Sequence, residues 1–216
     1  MHKLTFFPIG NADCCRIDLS GGQKLLFDYA AMRCENDSTD RRIDLPRELR
    51  ADLKAANRNH FEVVAFTHLD DDHIHGASES FRLDHAEKYR GEGRIVIETL
   101  WVPAAVIIED GCEDEARIIQ AEARYRLKQG KGIRVFSRPD KLTEWLRQQN
   151  LSLADRQHLI TDAGLLIPGY SLDRMALSSS CTRRSGVAWK TARWSIEIQI
   201  RLCYRRRSMW TGRRRS

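Results

Sequence analysis

The first 28 positions break into three short apolar runs separated by turn residues. KLTFFPI reads as a strand, GNAD as a turn, and CCRIDL as a second strand with Ile17 and Leu19 on one face. After the glycines of SGGQ, KLLFD makes a third strand ending at Asp28. Residues 3–28 therefore form a β-meander rather than the βαβ entry of a nucleotide-binding fold. The pattern then changes: Pro46 sits where a first helical residue belongs, and Leu49, Leu53 and Ala56 recur at helical spacing, with Asn57 near the end. FEVVAF is a β-branched and aromatic run short enough for a buried strand. Beyond it ASESFRLDHAEKYR reads as helix, GEG breaks the chain, and RIVIETLWV is a strand stopped by Pro103. Ala116, Ile119, Ala123 and Leu127 line one face of a helix that Gly130 can terminate. GIRVF adds a short strand, and SRPDKLTEWLRQQN opens with a capping-box pattern from Ser137 to Asp140. The mixture predicts an α/β (α+β) fold without internal repeats.

Composition narrows the picture. A chain of 216 residues with 42% hydrophobic content can bury a full core as one domain, with or without an extension. No run of 18 or more apolar residues occurs, and Pro8 interrupts the short apolar start. Neither a membrane span nor a signal peptide is supported, and a cytoplasmic protein with no membrane partner is expected. The six cysteines lack any CxxC pair, which argues against a zinc ribbon or disulfide framework. Cys14 and Cys15 are adjacent in a strand, face opposite ways, and read as packing residues. Trp101 and Trp145 lie in apolar patterns and are expected in the core.

The candidate chemistry is concentrated in AFTHLDDDHIHG, delivered from the carboxyl end of the FEVVAF strand, where α/β folds usually place functional groups. In an extended segment His68 and Asp70 point the same way, and a following turn can bring Asp72 and His73 toward the same point. Imidazole nitrogens and carboxylate oxygens suit Zn²⁺, with Mn²⁺ or Fe²⁺ as alternatives when carboxylates dominate. Gly76 permits close backbone approach. The competing reading is that Asp70, Asp71 and Asp72 cap a helix starting near Ile74, which accounts for the acids but not for His68 and His73. Asp71 and His75 are left out of the ligand set. A divalent ion held this way brings the pKa of its water to ~7 and stabilises charge on a phosphoryl or carbonyl oxygen, which points to hydrolysis, with Asp72 able to orient the attacking water.

THLDDDHIHG resembles the HxHxDH signature of the metallo-β-lactamase superfamily, in the HxDxDHxxG form of the hydrolase domain of competence DNA-uptake proteins. The preceding layout is similar too, with a meander, Asp28 at a strand end, a helix and a strand before the motif. The resemblance implies an αββα sandwich with one or two metals, His68 and Asp70 on the first and Asp72 and His73 on the second. It further implies hydrolysis of an ester-type substrate, with a phosphodiester or nucleic acid preferred by likeness to the DNA-uptake branch. The family completes its centre with ligands from the second half of the fold. Here His158 is the single histidine after His85, and no aspartate follows Asp173.

Charge divides the chain. Residues 1–173 hold 24 Lys/Arg against 29 Asp/Glu, whereas residues 174–216 hold 12 against the single Glu197, within a net charge of +6. Three of the five tryptophans also lie in this basic tail, and arginines interleaved with Trp189, Trp194, Tyr204 and Trp210 suit phosphate contacts and base stacking. That gives an alternative function, nucleic-acid binding through the tail. A frameshift near residues 174–188 is the other reading, because the tail's codons admit an acid-balanced, strand-like text in another frame. On that reading residues 1–173 are the incomplete hydrolase domain of a truncated product. Its apolar sheet surface would then be exposed and prone to self-association, and its activity weak or absent.

Overall fold

The computed structural model describes residues 2–162 and 165–170, all within one compact unit. Among the described residues seven strands form one mixed sheet in the order of the sequence. β1 (Lys3–Phe6), β2 (Cys15–Asp18) and β3 (Lys24–Phe27) are antiparallel, with Cys15 opposite both Phe6 and Phe27. β4 (His60–Ala65), β5 (Val96–Pro103), β6 (Ile133–Phe136) and β7 (Ile160–Thr161) continue in parallel from β3. The fold is α/β, as the sequence predicts.

Each parallel step needs a crossover, and the connections carry the helices. α1 (Leu45–Ala55) starts where Asp44 Oδ1 accepts from Arg47 N at 3.0 Å, has Pro46 in its first turn, and buries Leu45, Leu49 and Leu53. The chain leaves it through Asn57 at φ 53°. α5 (Asp114–Gln129) buries Ile119, Ala123 and Leu127 and ends at Gly130, whose φ of 76° is the left-handed conformation that a C-terminal glycine supplies. A strand order that never reverses places all the connecting helices on one face when each crossover takes the usual right hand. The two apolar clusters agree with this. The larger contains Leu26, Phe61, Val64 and Leu100 with the helical residues Leu49, Ile119, Leu142 and Leu146. The smaller contains Cys15, Ile17, Leu25, Phe27, Val63, Ala65, Trp101 and Ile167, with no helical residue. Period two sends Cys14 to the first cluster and Cys15 to the second, and both are buried as expected. Trp101 is buried at the centre of the second face, with Phe27, Phe136 and Tyr170 ring centroids 6.2, 5.5 and 5.2 Å away. Trp145 is partly buried against the helical core.

Two local expectations are corrected. Residues 77–90 are not one helix: α3 (Ala77–Ser80) stops at Phe81, which turns extended and bridges Ile95, and only Glu87–Tyr89 returns to a 3₁₀ turn. Tertiary burial of Phe81, Leu83 and Tyr89 overrides the helical pattern, and the Arg94 guanidinium donates to the Ser78 and Phe81 carbonyls that a continuing helix would use. The capping box at Ser137 does not form either. Ser137 takes φ 77° and donates its N–H to Thr161 O at 3.0 Å, and α6 (Asp140–Gln148) starts behind Pro139 without a side-chain cap. The capping box is instead at Ser152 and Asp155, opening α7 (Leu153–Arg156). α4 (Ala104–Ile108) completes the elements. Among the described residues no helix is long and apolar enough to cross a membrane. The expected basic tail, its nucleic-acid contacts and the frameshift near residues 174–188 lie outside the described residues.

A buried ion network fixes α5 to the sheet. Glu122, fully buried, accepts from Arg126 Nε at 2.6 Å and from His85 N at 2.9 Å, and lies 3.0 Å from His85 Nδ1. Arg126 Nη1 in turn donates to the carbonyls of Ile97 and Gly132 at 3.0 and 2.9 Å. Burial pushes the Glu122 carboxyl up, but the His85 hydrogen bond and the Arg126 charge outweigh it and hold the group down at about 2. A carboxyl depressed on folding contributes stability that is present above its ordinary value of 4.5 and lost as the pH falls toward about 2. Glu122→Gln is expected to cost about 3 kcal/mol at neutral pH, since it strips the buried Arg126 of its counter-charge, and to flatten stability between those two pH values. Urea unfolding followed by circular dichroism across that range measures both.

Candidate metal centre

The site forms where β3 and β4 end side by side. Asp28 follows β3 with φ 55°, donates its N–H to Ala65 O at 2.8 Å, and is buried. Its Oδ1 accepts from Thr67 N and its Oδ2 from Thr67 Oγ1, each at 2.7 Å, so the residue after β3 sets the turn after β4. The chain continues into the four-residue α2 (Asp71–Ile74). That turn is clamped by strand-like bonds from Tyr29 N to His73 O and from Ala31 N to His75 O, both 3.0 Å, and from Asp13 N to Asp72 O at 3.2 Å. Gly76 sits at φ 71°, where an added Cβ would lie 3.3 Å from the Ala31 side chain, so the close approach expected there is made.

These constraints bring His68, Asp72 and His73 together, with one donor atom of each within 4.8 Å of the others. The imidazoles are 3.6 Å apart between centroids and tilted by 49°. Asp70 lies outside this group. Its carboxylate is 80% exposed and stands 3.5 Å from His68 Nε2. The side chain of Asp70 does not cap α2, so helix capping does not account for it. Asp71 and His75 pair with each other at 3.0 Å on the surface, in keeping with their exclusion from the ligand set. The two later histidines are engaged elsewhere, His85 on Glu122 and His158 Nε2 beside Gly130 O at 3.3 Å.

The hydrogen-bond network assigns the tautomer of His68. The Thr67 hydroxyl proton goes to Asp28, so Thr67 Oγ1 accepts from His68 Nδ1 at 3.1 Å and the His68 Nε2 lone pair is left for a ligand. His73 Nδ1 faces Asp28 Oδ2 at 3.1 Å in an oblique approach that is no aligned hydrogen bond, and this buried nitrogen has no other partner among the described residues. Its Nε2 lies 3.5 Å from Asp72 Oδ2 and 3.7 Å from Asp13 Oδ2. Burial, and then the neighbouring His73, pull the His68 pKa below its ordinary value of 6.5, against Asp70. Burial also pulls on His73, but Asp28, Asp72 and Asp13 together raise it above 6.5. Among the described residues no lysine or arginine pairs with Asp13, Asp28, Asp70 or Asp72. Two imidazoles and a carboxylate within this uncompensated negative charge fit a divalent cation.

Sequence reasoning noted Asp28 as a strand end and missed its grip on Thr67 and His73. It missed Asp13 and Thr67 altogether. A polar residue directly after each of two apolar strands is the signal that could have found Asp28 and Thr67, because neighbouring parallel strands bring such ends together.

In chelator-treated protein, His73 is expected to titrate above 6.5 and His68 below it, and Asp28→Asn is expected to bring His73 down, read from histidine ring resonances by NMR. The part of stability carried by His73 is present below pH 6.5 and fades as the pH rises through its folded value. Compared with known proteins, the chain matches no family model and no curated sequence, so the functional reading rests on its own residues.

Proposed function

We propose that the chain is a metal-dependent hydrolase of metallo-β-lactamase type acting on an ester-type substrate, with a phosphodiester or nucleic acid preferred. The observation that carries this is the convergence of His68, Asp72 and His73 at the carboxyl end of β4, with Asp28 and Thr67 orienting the imidazoles. A resemblance in the motif HLDDDHIHG and in the meander, helix and strand before it supports the family. The helix-free second face, rich in Ile17, Leu25, Phe27, Val63 and Trp101, is the surface on which the second sheet of an αββα sandwich would pack.

In this reading His68, Asp72 and His73 hold the ion, and Asp70 joins from the His68 side. Zn²⁺ suits the two imidazoles, with Mn²⁺ or Fe²⁺ as the carboxylate share rises. A bound divalent ion supplies a Lewis acid and a water acidified into the neutral range. Asp72, half-exposed beside His73, would stand where it could orient such a water and accept its proton. Asp28 fixes the ring of His73 and, through Thr67, the tautomer of His68. The carboxylates at the mouth would repel a phosphodiester unless a cation offsets them, which makes substrate binding itself dependent on the ion.

Purified full-length chain is expected to carry a transition metal by elemental analysis and to hydrolyse bis(p-nitrophenyl) phosphate. Chelation should abolish that activity, and His68→Ala or Asp72→Ala should lower it about 100-fold or more. Activity indifferent to chelator and to both substitutions would refute the reading. A second reading rests on the 12 Lys/Arg against one acid in residues 174–216, which suits nucleic-acid binding by the tail. It predicts affinity that falls with salt, ignores chelators and is lost on truncation after residue 175, measured by fluorescence anisotropy.

A further inference from the structure

We infer that Asp13, in the turn between β1 and β2, is a further donor to the cation held by His73 and Asp72, an inference that rests on the metal reading above. Asp13 is far from the HLDDDH motif in sequence, yet its backbone N–H donates to Asp72 O at 3.2 Å and ties its turn to the segment that bears the other donors. Its Oδ2 stands 3.7 Å from His73 Nε2, against 3.5 Å for Asp72 Oδ2, so two carboxylates flank one ring nitrogen; like Asp70, Asp13 lies outside the group whose donor atoms are all within 4.8 Å of one another, and its exposed side chain would have to swing inward to share the ion. Both distances exceed the 2.7–3.2 Å of hydrogen bonds from N–H to oxygen. They match instead the spacing of two donors sharing one ion, since ligands at about 2.1 Å and a tetrahedral angle lie about 3.4 Å apart.

Charge points the same way. Asp13, Asp28 and Asp72 all face His73, and no lysine or arginine pairs with them among the described residues. A protonated imidazole brings one positive charge to three acids, whereas a divalent ion beside a neutral imidazole brings two. The Asp13 carboxylate is 70% exposed, so nothing in the packing of the core requires an acid there.

The test is Zn²⁺ affinity of the full chain, measured by competition with a chromophoric chelator, for wild type, Asp13→Asn, Asp13→Ser and the control Asp71→Asn. Both Asp13 variants keep the backbone N–H to Asp72, and two different replacements guard against misfolding of one, with circular dichroism checking each. The expected result is a loss of affinity of about 10-fold or more for both Asp13 variants, with Asp71→Asn within twofold of wild type. Wild-type binding that either folded Asp13 variant retains within twofold would overturn the role of Asp13 and leave the metal reading standing. Failure of the wild type itself to bind Zn²⁺ would overturn both.

Discussion

The Asp28 carboxylate is the constraint around which the site is organised. It is buried at the end of one strand, takes both the amide and the hydroxyl of Thr67 at the end of the next, and lies against His73. A buried carboxylate without such partners would be costly, so the residues around it are held by its need for hydrogen bonds. Because Thr67 directs its proton to Asp28, the tautomer of His68 follows. Because the Asp28 side chain faces the His73 ring, the opposite edge of that ring is turned toward Asp13 and Asp72. One acid thus sets, through Thr67, which nitrogen His68 offers and lies against one edge of the His73 ring, without itself reaching the mouth of the site.

The sheet provides the rigid frame. Parallel pairing aligns Phe27 with Ala65 and Ala65 with Trp101, so the strand ends that carry Asp28 and Thr67 are in register. The Glu122 and Arg126 network does a different job at the other layer, securing α5 to the carbonyls of Ile97 and Gly132. The two polar systems are separate in sequence and in role, one holding donors and the other holding a helix.

How much of this was legible before the structure depended on the range of the forces involved. The strands, α1 and α5 follow from local periodicity, because Leu49 and Leu53, or Ile119, Ala123 and Leu127, need only their own helix to find the core. The stretch around Phe81 misled because its course is decided by distant partners, Ile95 and Arg94. Ser137 misled because a bond to Thr161 outweighed a local cap. In the site, His68, Asp72 and His73 were readable as a spaced motif. Asp13 and Asp28 were not, since their nearness to His73 is created by strand pairing across some 45 to 60 residues of chain, as the numbering shows.

The unbroken strand order has a consequence for how the molecule is made. Each strand hydrogen-bonds to the one synthesised just before it, so the sheet can extend at a single growing edge as the chain leaves the ribosome, without waiting for a distant segment to be inserted. Asp13, Asp28, His68, Asp72 and His73 all precede β5, β6 and β7 in the chain. Every side chain of the cluster therefore leaves the ribosome before the strands that flank it on the far side of β4, so its assembly needs no residue made after them.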